Sequence, residues 1–179
     1  MATVYYPSCK FTAYSPASSQ KIQSYLAEKF SVQMLGCCRP EHKNRVQEDT
    51  VVYICNTCAA FAQETSRAEK IISVWEVMAE DEEFPLPDYG GQKMTLQDCW
   101  RVYDNPCQQK AVRKILRRMK IDIVELEENY DQTRFCGLGL YNPMPDEYKE
   151  FAPARFMEKG KGFFQPHTKE EQLGLMQKH

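Results

Sequence analysis

Residues 51–58 read VVYICNTC, a short apolar run that ends in a CxxC motif. The run is β-branched and of strand length, and Thr57 is placed to cap a helix over 59–68. The stretch therefore predicts a strand that is followed at once by two thiols and a helix. This order is the repeating unit of α/β proteins.

The same order recurs along the chain, and a thiol group follows each strand. Strands are predicted at 3–6 and 32–35, with a helix at 18–30 between them. Strands that alternate with helices favour a parallel sheet, in which the loops after the carboxyl ends gather on one edge. We therefore expect the fold to bring five sulfurs together. They are Cys9, Cys37, Cys38, Cys55 and Cys58.

A second series of elements follows the turn-rich segment DEEFPLPDYGG at 81–91. Strands are predicted at 93–96 and 121–126, with a helix at 105–119 between them. The predicted class is thus α/β, with two pseudo-symmetric βαβ-type halves, mainly parallel strands and flanking helices. The predicted divisions are a first unit at 1–80, a linker at 81–91, a second, degenerate unit at 92–156 and a polar C-terminal tail at 157–179.

The composition argues against several classes of function. A net charge of −2 and a pI near 6.0 give no general attraction to nucleic acid. No stretch reaches the length of a membrane span and the start lacks a secretion signal, so we expect a cytoplasmic protein with reduced thiols. Basic residues between 110 and 120 suit the solvent-exposed face of a helix. They are Lys110, Arg113, Lys114, Arg117, Arg118 and Lys120.

A group of reduced thiols is compatible with several chemistries. Thiolate is the soft ligand that selects iron–sulfur clusters, zinc or copper(I). Four thiolates complete the tetrahedral coordination of Zn(II), so the fifth thiol would not be a ligand. A CxxC at a helix start can also be a redox dithiol whose first thiol is acidified by the helix dipole. Buried thiols that act only as small apolar side chains are the simplest alternative.

Three short motifs carry a resemblance to a known family. The first unit reads YPSC at 6–9, GCCRP at 36–40 and CNTC at 55–58. These motifs resemble the cysteine-rich (CCG) domain of the heterodisulfide reductases and of glycolate oxidase iron–sulfur subunits, which repeats a C-x(n)-CCG-x(n)-CxxC unit twice. The second half resembles a reduced copy of that unit, which keeps Cys99 and Cys136 and has APAR at 152–155 in the place of the CxxC.

The resemblance implies a noncubane [4Fe-4S] cluster held by the five thiolates of the first unit, with Cys99 and Cys136 as a weaker second site. It also implies a redox role, as an oxidoreductase component that relays electrons or reduces a thiol or disulfide substrate. The implied partner is a flavoprotein or an iron–sulfur protein. A zinc-binding structural module and a CxxC thiol–disulfide redox protein are the alternatives.

Overall fold

Four parallel strands form the larger sheet of this computed structural model. They are β1 Thr3–Tyr6, β2 Gln33–Met34, β3 Thr50–Tyr53 and β4 Lys70–Ser73. The order across the sheet is β2-β1-β3-β4, so β1 and β3 lie at the centre. The predicted α/β class with parallel strands is confirmed. The structure describes residues 2–36, 44–47, 49–133, 144–160 and 168–178.

The remaining elements surround this sheet or form a second, smaller one. The smaller sheet pairs β5 Lys93–Leu96 with β6 Asp122–Glu125 in parallel. The α-helices of the described residues are α1 Cys9–Tyr14, α2 Pro16–Phe30, α3 Asn56–Thr65, α4 Val74–Glu80, α5 Pro106–Arg118, α6 Asp146–Phe151 and α7 Lys169–Lys178. Among the described residues, 3₁₀ turns also cover Trp100–Val102 and Tyr130–Gln132, and a π-helix covers Ala154–Lys159.

The starts of two helices differ from the prediction. Cys9, predicted in a loop, is the first residue of α1, because the Ser8 hydroxyl accepts the N–H of Phe11 at 3.3 Å and caps the helix. Helix α3 begins at Asn56 with Cys55 as its N-cap, so Thr57 lies inside the helix and does not cap it.

The sequence interpretation also missed β4 and α4. Their junction carries the S-x-x-E pattern of a capping box, which is formed in the structure. Glu76 donates its backbone N–H to the Ser73 hydroxyl at 3.2 Å, and the Ser73 N–H donates to the Glu76 carboxylate at 2.8 Å. This signal is present in the sequence and is sufficient to locate the helix start.

The larger sheet is covered on both faces, as parallel sheets usually are. Val4 and Val51 point to one face and pack with Ala59 of α3. Tyr5 and Val52 point to the other face, where α2, α4 and α5 cover them. The alternation follows the two-residue period of a strand.

A buried network of ion pairs holds α5 against the smaller sheet. Arg113 of α5 is 2% exposed and donates to both carboxylate oxygens of Asp98, at 3.1 and 2.7 Å. It also donates to the Glu125 carboxylate at 2.6 and 2.7 Å. The prediction of Arg113 on a solvent-exposed basic face is therefore wrong, because acidic residues at the ends of β5 and β6 draw it inward.

Helix α5 also joins the two halves of the chain. Its Arg118 donates to the backbone carbonyl oxygens of Met78, Asp81, Glu82 and Phe84 at 2.9–3.3 Å. One of these carbonyls, that of Met78, belongs to the last turn of α4, and the other three follow the helix. The segment 81–91 contains no helix or strand but contacts the first half, where Asp81 accepts from the Tyr25 hydroxyl at 2.8 Å.

The predicted C-terminal tail is partly helical. Thr168 and Glu171 form a capping box, with backbone-to-side-chain bonds of 2.8 and 3.2 Å. Before it, Phe156 of the π-helix is fully buried with Trp100 and Ala152. The division of the chain into two units and a linker stays a prediction.

Candidate functional site

The carboxyl ends of β1 and β3 carry two of the predicted thiol segments to one edge of the sheet. Tyr6 and Tyr53, the last residues of these strands, lie opposite each other. Cys9 begins α1 shortly after β1, and Cys55 follows β3 directly before α3. Both segments are at the edge where the sequence predicts them. The pair at 37–38 lies outside the described residues, so its place relative to this edge stays a prediction.

The Cys55 sulfur lies among hydrogen-bond donors at the start of α3. Its partners are the Cys58 side chain, the backbone N–H groups of Cys58 and Thr57, and the Ser8 hydroxyl. The bond with Cys58 is the strongest influence, and together the four lower the pKa of Cys55 to about 5 although burial raises it. The usual value for a thiol is 9.0, so this environment favours the charged form of Cys55.

The three described thiols of the predicted ligand set differ in exposure. Cys58 is 8% exposed and belongs to the buried cluster that contains Tyr6 and Tyr53. Cys55 is half-buried against the same cluster, and Cys9 is exposed. The site therefore runs from the core of the first half towards solvent.

Tyr5 carries a buried hydroxyl on the face of the sheet opposite to α3. Its side chain is fully buried, and its hydroxyl has no hydrogen-bond partner in the described part of the chain. Burial raises the pKa of Tyr5, and the charge of Cys58 raises it further, so the hydroxyl keeps its proton. Buried donors are nearly always paired in native proteins, so this hydroxyl is an exception among the described residues.

A chain of polar side chains connects the CxxC motif to the second half. Gln108 of α5 donates to the Asn56 side-chain oxygen at 2.9 Å and accepts from the Tyr53 hydroxyl at 2.7 Å. The Asn105 side chain donates to the same hydroxyl at 3.1 Å. Asn56 is the first residue of α3 and Asn105 is the N-cap of α5, so the first turns of the two helices are held side by side.

The thiols of the second half are not gathered into a separate group within the described residues. Cys99 packs against the cluster of the first half that contains Cys58, and Cys107 is exposed on the first turn of α5. Cys136 lies outside the described residues, so the weaker second site with Cys99 stays a prediction. Arg155, the last residue of the APAR segment, forms a bidentate pair with Asp104 at 2.9 Å.

The described residues contain only part of the predicted ligand set. Among them, no group of three or more His, Cys, Asp or Glu side chains is arranged to hold a metal ion. Two of the five predicted ligands, Cys37 and Cys38, lie outside these residues. In the same part of the chain, no helix has both the length and the hydropathy of a membrane span.

Comparison with known proteins gives no further assignment. No protein-family model matches the chain, and neither the curated proteins nor the solved structures give a match.

Sequence reasoning missed three residues that shape the site. Ser8 and Gln108 contact the CxxC motif from other segments of the chain, and Tyr53, two residues before the motif, holds Gln108 in place. Of the three, Ser8 is the one that lies within a motif quoted from the sequence, YPSC at 6–9. The hydrogen bonds of Tyr53 and Gln108 depend on how α5 packs, which no local pattern reveals.

Proposed function

We propose that this chain is an iron–sulfur redox protein of the heterodisulfide reductase type. The proposed cofactor is a [4Fe-4S] cluster of the noncubane kind, held by Cys9, Cys37, Cys38, Cys55 and Cys58. The observation that carries the proposal is the place of the Cys55 sulfur, which has four hydrogen-bond partners at the carboxyl edge of a parallel sheet.

The described residues fit a group of this kind. A thiol must lose its proton before it binds a metal, and the donors around Cys55 lower the pKa of its thiol. Donors around ligand sulfurs orient the ligands and tune the potential of a cluster. The N–H groups of Thr57 and Cys58 are such donors.

The cluster would supply one-electron chemistry at a sulfur-rich centre, and the protein's own residues would hold and shield it. Cys58 and the core beneath it exclude water from one side, while the exposed Cys9 segment leaves the other side open to a partner. The proposed role is relay of electrons, or reduction of a thiol or disulfide substrate, in partnership with a flavoprotein or an iron–sulfur protein. A reducing compartment such as the cytoplasm suits thiols that must stay reduced.

The proposal is tested by anaerobic purification followed by measurement of iron, acid-labile sulfide and zinc, with EPR spectra of the oxidised and reduced forms. We expect about four iron and four sulfide per chain, as a [4Fe-4S] cluster requires. Cys55→Ser should lose the iron, whereas Cys107→Ser, at an exposed thiol outside the proposed set, should retain it. A protein without iron after anaerobic reconstitution contradicts the proposal, and stoichiometric zinc would instead support a structural metal module.

The hydrogen bond between the Cys55 and Cys58 side chains favours a second candidate, a thiol–disulfide redox protein. In that reaction the Cys55 thiolate attacks a substrate disulfide and forms a mixed disulfide, with one substrate sulfur leaving as a thiolate. Cys58, once deprotonated, then attacks Cys55, which releases the second substrate thiolate and leaves a Cys55–Cys58 disulfide. Reduction of a disulfide by the metal-free, reduced chain, abolished by Cys58→Ser, would support this candidate over the first.

A further inference from the structure

A cavity of about 620 Å³ lies on the face of the larger sheet that α2 and α4 cover. The strands contribute Thr3 and Thr50, the first residues of β1 and β3, together with Val52 and Ile72. Thr3 is paired with Thr50, and Val52 with Ile72. Alternate residues of a strand point to the same face, so these side chains share one face. The cavity therefore begins at the amino ends of the strands, whereas the thiol segments follow their carboxyl ends.

The walls of this cavity are mostly apolar. Leu26 and Phe30 of α2 line one side, and Val77 of α4 lines another. Leu26 is fully buried and Phe30 is 43% exposed, so the apolar surface continues from the core to the surface of the protein. A volume of this size with a mostly apolar lining is typical of sites for small organic molecules.

The charged residues of the lining are mostly acidic. Glu76, Glu80 and Asp81 carry carboxylates, and Lys29 carries an ammonium group. The Lys29 charge is already compensated by Asp81 at 2.6 Å and by Glu83 at 3.7 Å. The last turn of α2 also lines the cavity, and the carboxyl end of a helix carries a partial negative charge. The cavity therefore favours a cation and disfavours an anion.

Glu76 is the carboxylate best placed to contact such a cation. It is half-buried, whereas Glu80 is exposed and pairs with Lys114 at 3.0 Å. The Oε2 atom of Glu76 accepts the N–H and the hydroxyl of Ser73, at 2.8 and 2.6 Å. Its other oxygen has no hydrogen bond to a described residue, so contact with a cation there leaves the capping box intact.

We propose that this cavity is a binding site for a small organic ammonium ion with an apolar body. The apolar body packs against Leu26, Val52 and Ile72, and the ammonium group contacts the Glu76 carboxylate. The charge of the lining decides between this ligand and a fatty carboxylate, which would meet repulsion from the acidic residues. The site does not depend on the proposed iron–sulfur function, because it uses none of the cysteines.

The test compares octylammonium, octanol and octanoate, which have chains of equal length and differ in the charge of the head group. Calorimetric titration of the full chain at neutral pH measures the dissociation constant of each probe. We expect octylammonium to bind more tightly than octanol, and octanol more tightly than octanoate, because the walls contact the chain and the carboxylates act on the head group. Absence of octylammonium binding would overturn the proposal. So would octylammonium that binds no more tightly than octanol or octanoate.

A charge variant tests the role of Glu76. Glu76→Gln removes the charge but keeps the capping box, since glutamine also accepts at this position. It should weaken octylammonium binding about fivefold, the strength of one ion pair in a water-like medium, and leave octanol binding unchanged. Glu127→Gln is the matched control, because it makes the same charge change at an exposed residue after β6. Equal affinities of the two variants for octylammonium would overturn the placement of the ammonium group.

A size variant tests the location of the site. Val77→Phe places a larger side chain in the wall of the cavity, so it should weaken the binding of octylammonium and octanol alike. Its thermal unfolding midpoint shows whether it folds. Binding equal to the wild type in a folded Val77→Phe protein would overturn the assignment of the cavity. If Val77→Phe does not fold, Glu76→Gln and its control decide the question.

Discussion

Gln108 in the second half of the chain donates a hydrogen bond to the side chain of Asn56, inside the CxxC motif of the first half, at 2.9 Å. The Gln108 side chain is held in place by a second hydrogen bond, which its oxygen accepts from the Tyr53 hydroxyl at 2.7 Å. Gln108 lies 52 residues after Asn56, so the thiol site depends on a helix from a distant part of the chain.

Loss of this bond should loosen the first turn of α3. Gln108→Leu removes the partner of Asn56 and leaves the buried Tyr53 hydroxyl without its acceptor, so we expect a loss of about 1–3 kcal/mol in the free energy of unfolding. Hydrogen exchange at the N–H groups of Thr57 and Cys58 should become faster. Gln109→Leu is the matched control, because Gln109 is equally buried but donates to the carbonyls of Val102 and Tyr103. Equal exchange rates in the two variants would contradict the prediction.

The reactivity of Cys55 should depend on pH in an unusual range. The pKa of Cys55 is about 5, well below the 9.0 of an ordinary thiol. The rate at which iodoacetamide alkylates Cys55 in the reduced, metal-free chain should therefore be half-maximal near pH 5. Peptide-resolved rates between pH 4 and 9 measure this, with Cys107 as an exposed internal reference. A rate that still rises steeply above pH 7 at Cys55 would contradict it.

The same shift links stability to pH. A folded-state pKa below the unfolded value stabilises the fold fully only above the unfolded value, near 9.0. This contribution should decrease as the pH falls towards 5 and be absent below it. Urea unfolding of the wild type and of Cys55→Ser across this range measures it, and the stability difference between the two proteins should shrink at acid pH.

Arg113 should be the most sensitive position of the second half. Arg113→Ala leaves Asp98 buried without its partner, and removal of one member of a buried pair costs about 3–5 kcal/mol. The bond from Arg113 also holds the pKa of Glu125 below its usual range, so the wild type should lose stability as acid protonates that carboxylate. Arg117→Ala on the same helix is the control, and urea unfolding should show a change of about 0.5 kcal/mol or less.

Two glycines should respond oppositely to alanine. A Cβ at Gly160 would lie 2.9 Å from the Phe156 carbonyl oxygen and from the Trp100 ring, so Gly160→Ala should destabilise the chain by about 1–3 kcal/mol. A Cβ at Gly174 in α7 meets no atom within 4 Å, so Gly174→Ala should be neutral or favour the helix. Thermal unfolding checks the first and helical circular dichroism the second. A Gly160→Ala protein as stable as the wild type would show that this contact relaxes.

The elements that were predicted well are those specified by their own residues. Strands Thr3–Tyr6 and Lys93–Leu96 have the predicted bounds, because β-branched or apolar runs end there at turn residues. The placement of Cys55 after a strand and before a helix follows from the same local pattern. What failed depends on distant partners: Arg113 is drawn inward by Asp98 and Glu125, which no helical periodicity reveals. Ser8 likewise caps a helix where the local pattern predicts a loop.

Helix α5 makes the cysteine-bearing half of the chain unsuitable for excision. Its thirteen residues span about 20 Å. Gln108 at one end bonds the CxxC turn, and Arg118 at the other binds the carbonyls that follow α4. Between them, Ala111 and Ile115 cover apolar residues of the larger sheet. A fragment that stops at residue 80 would contain every proposed ligand but would expose to water the face of the larger sheet that α5 covers. We therefore expect that such a fragment does not fold into a stable cysteine site by itself.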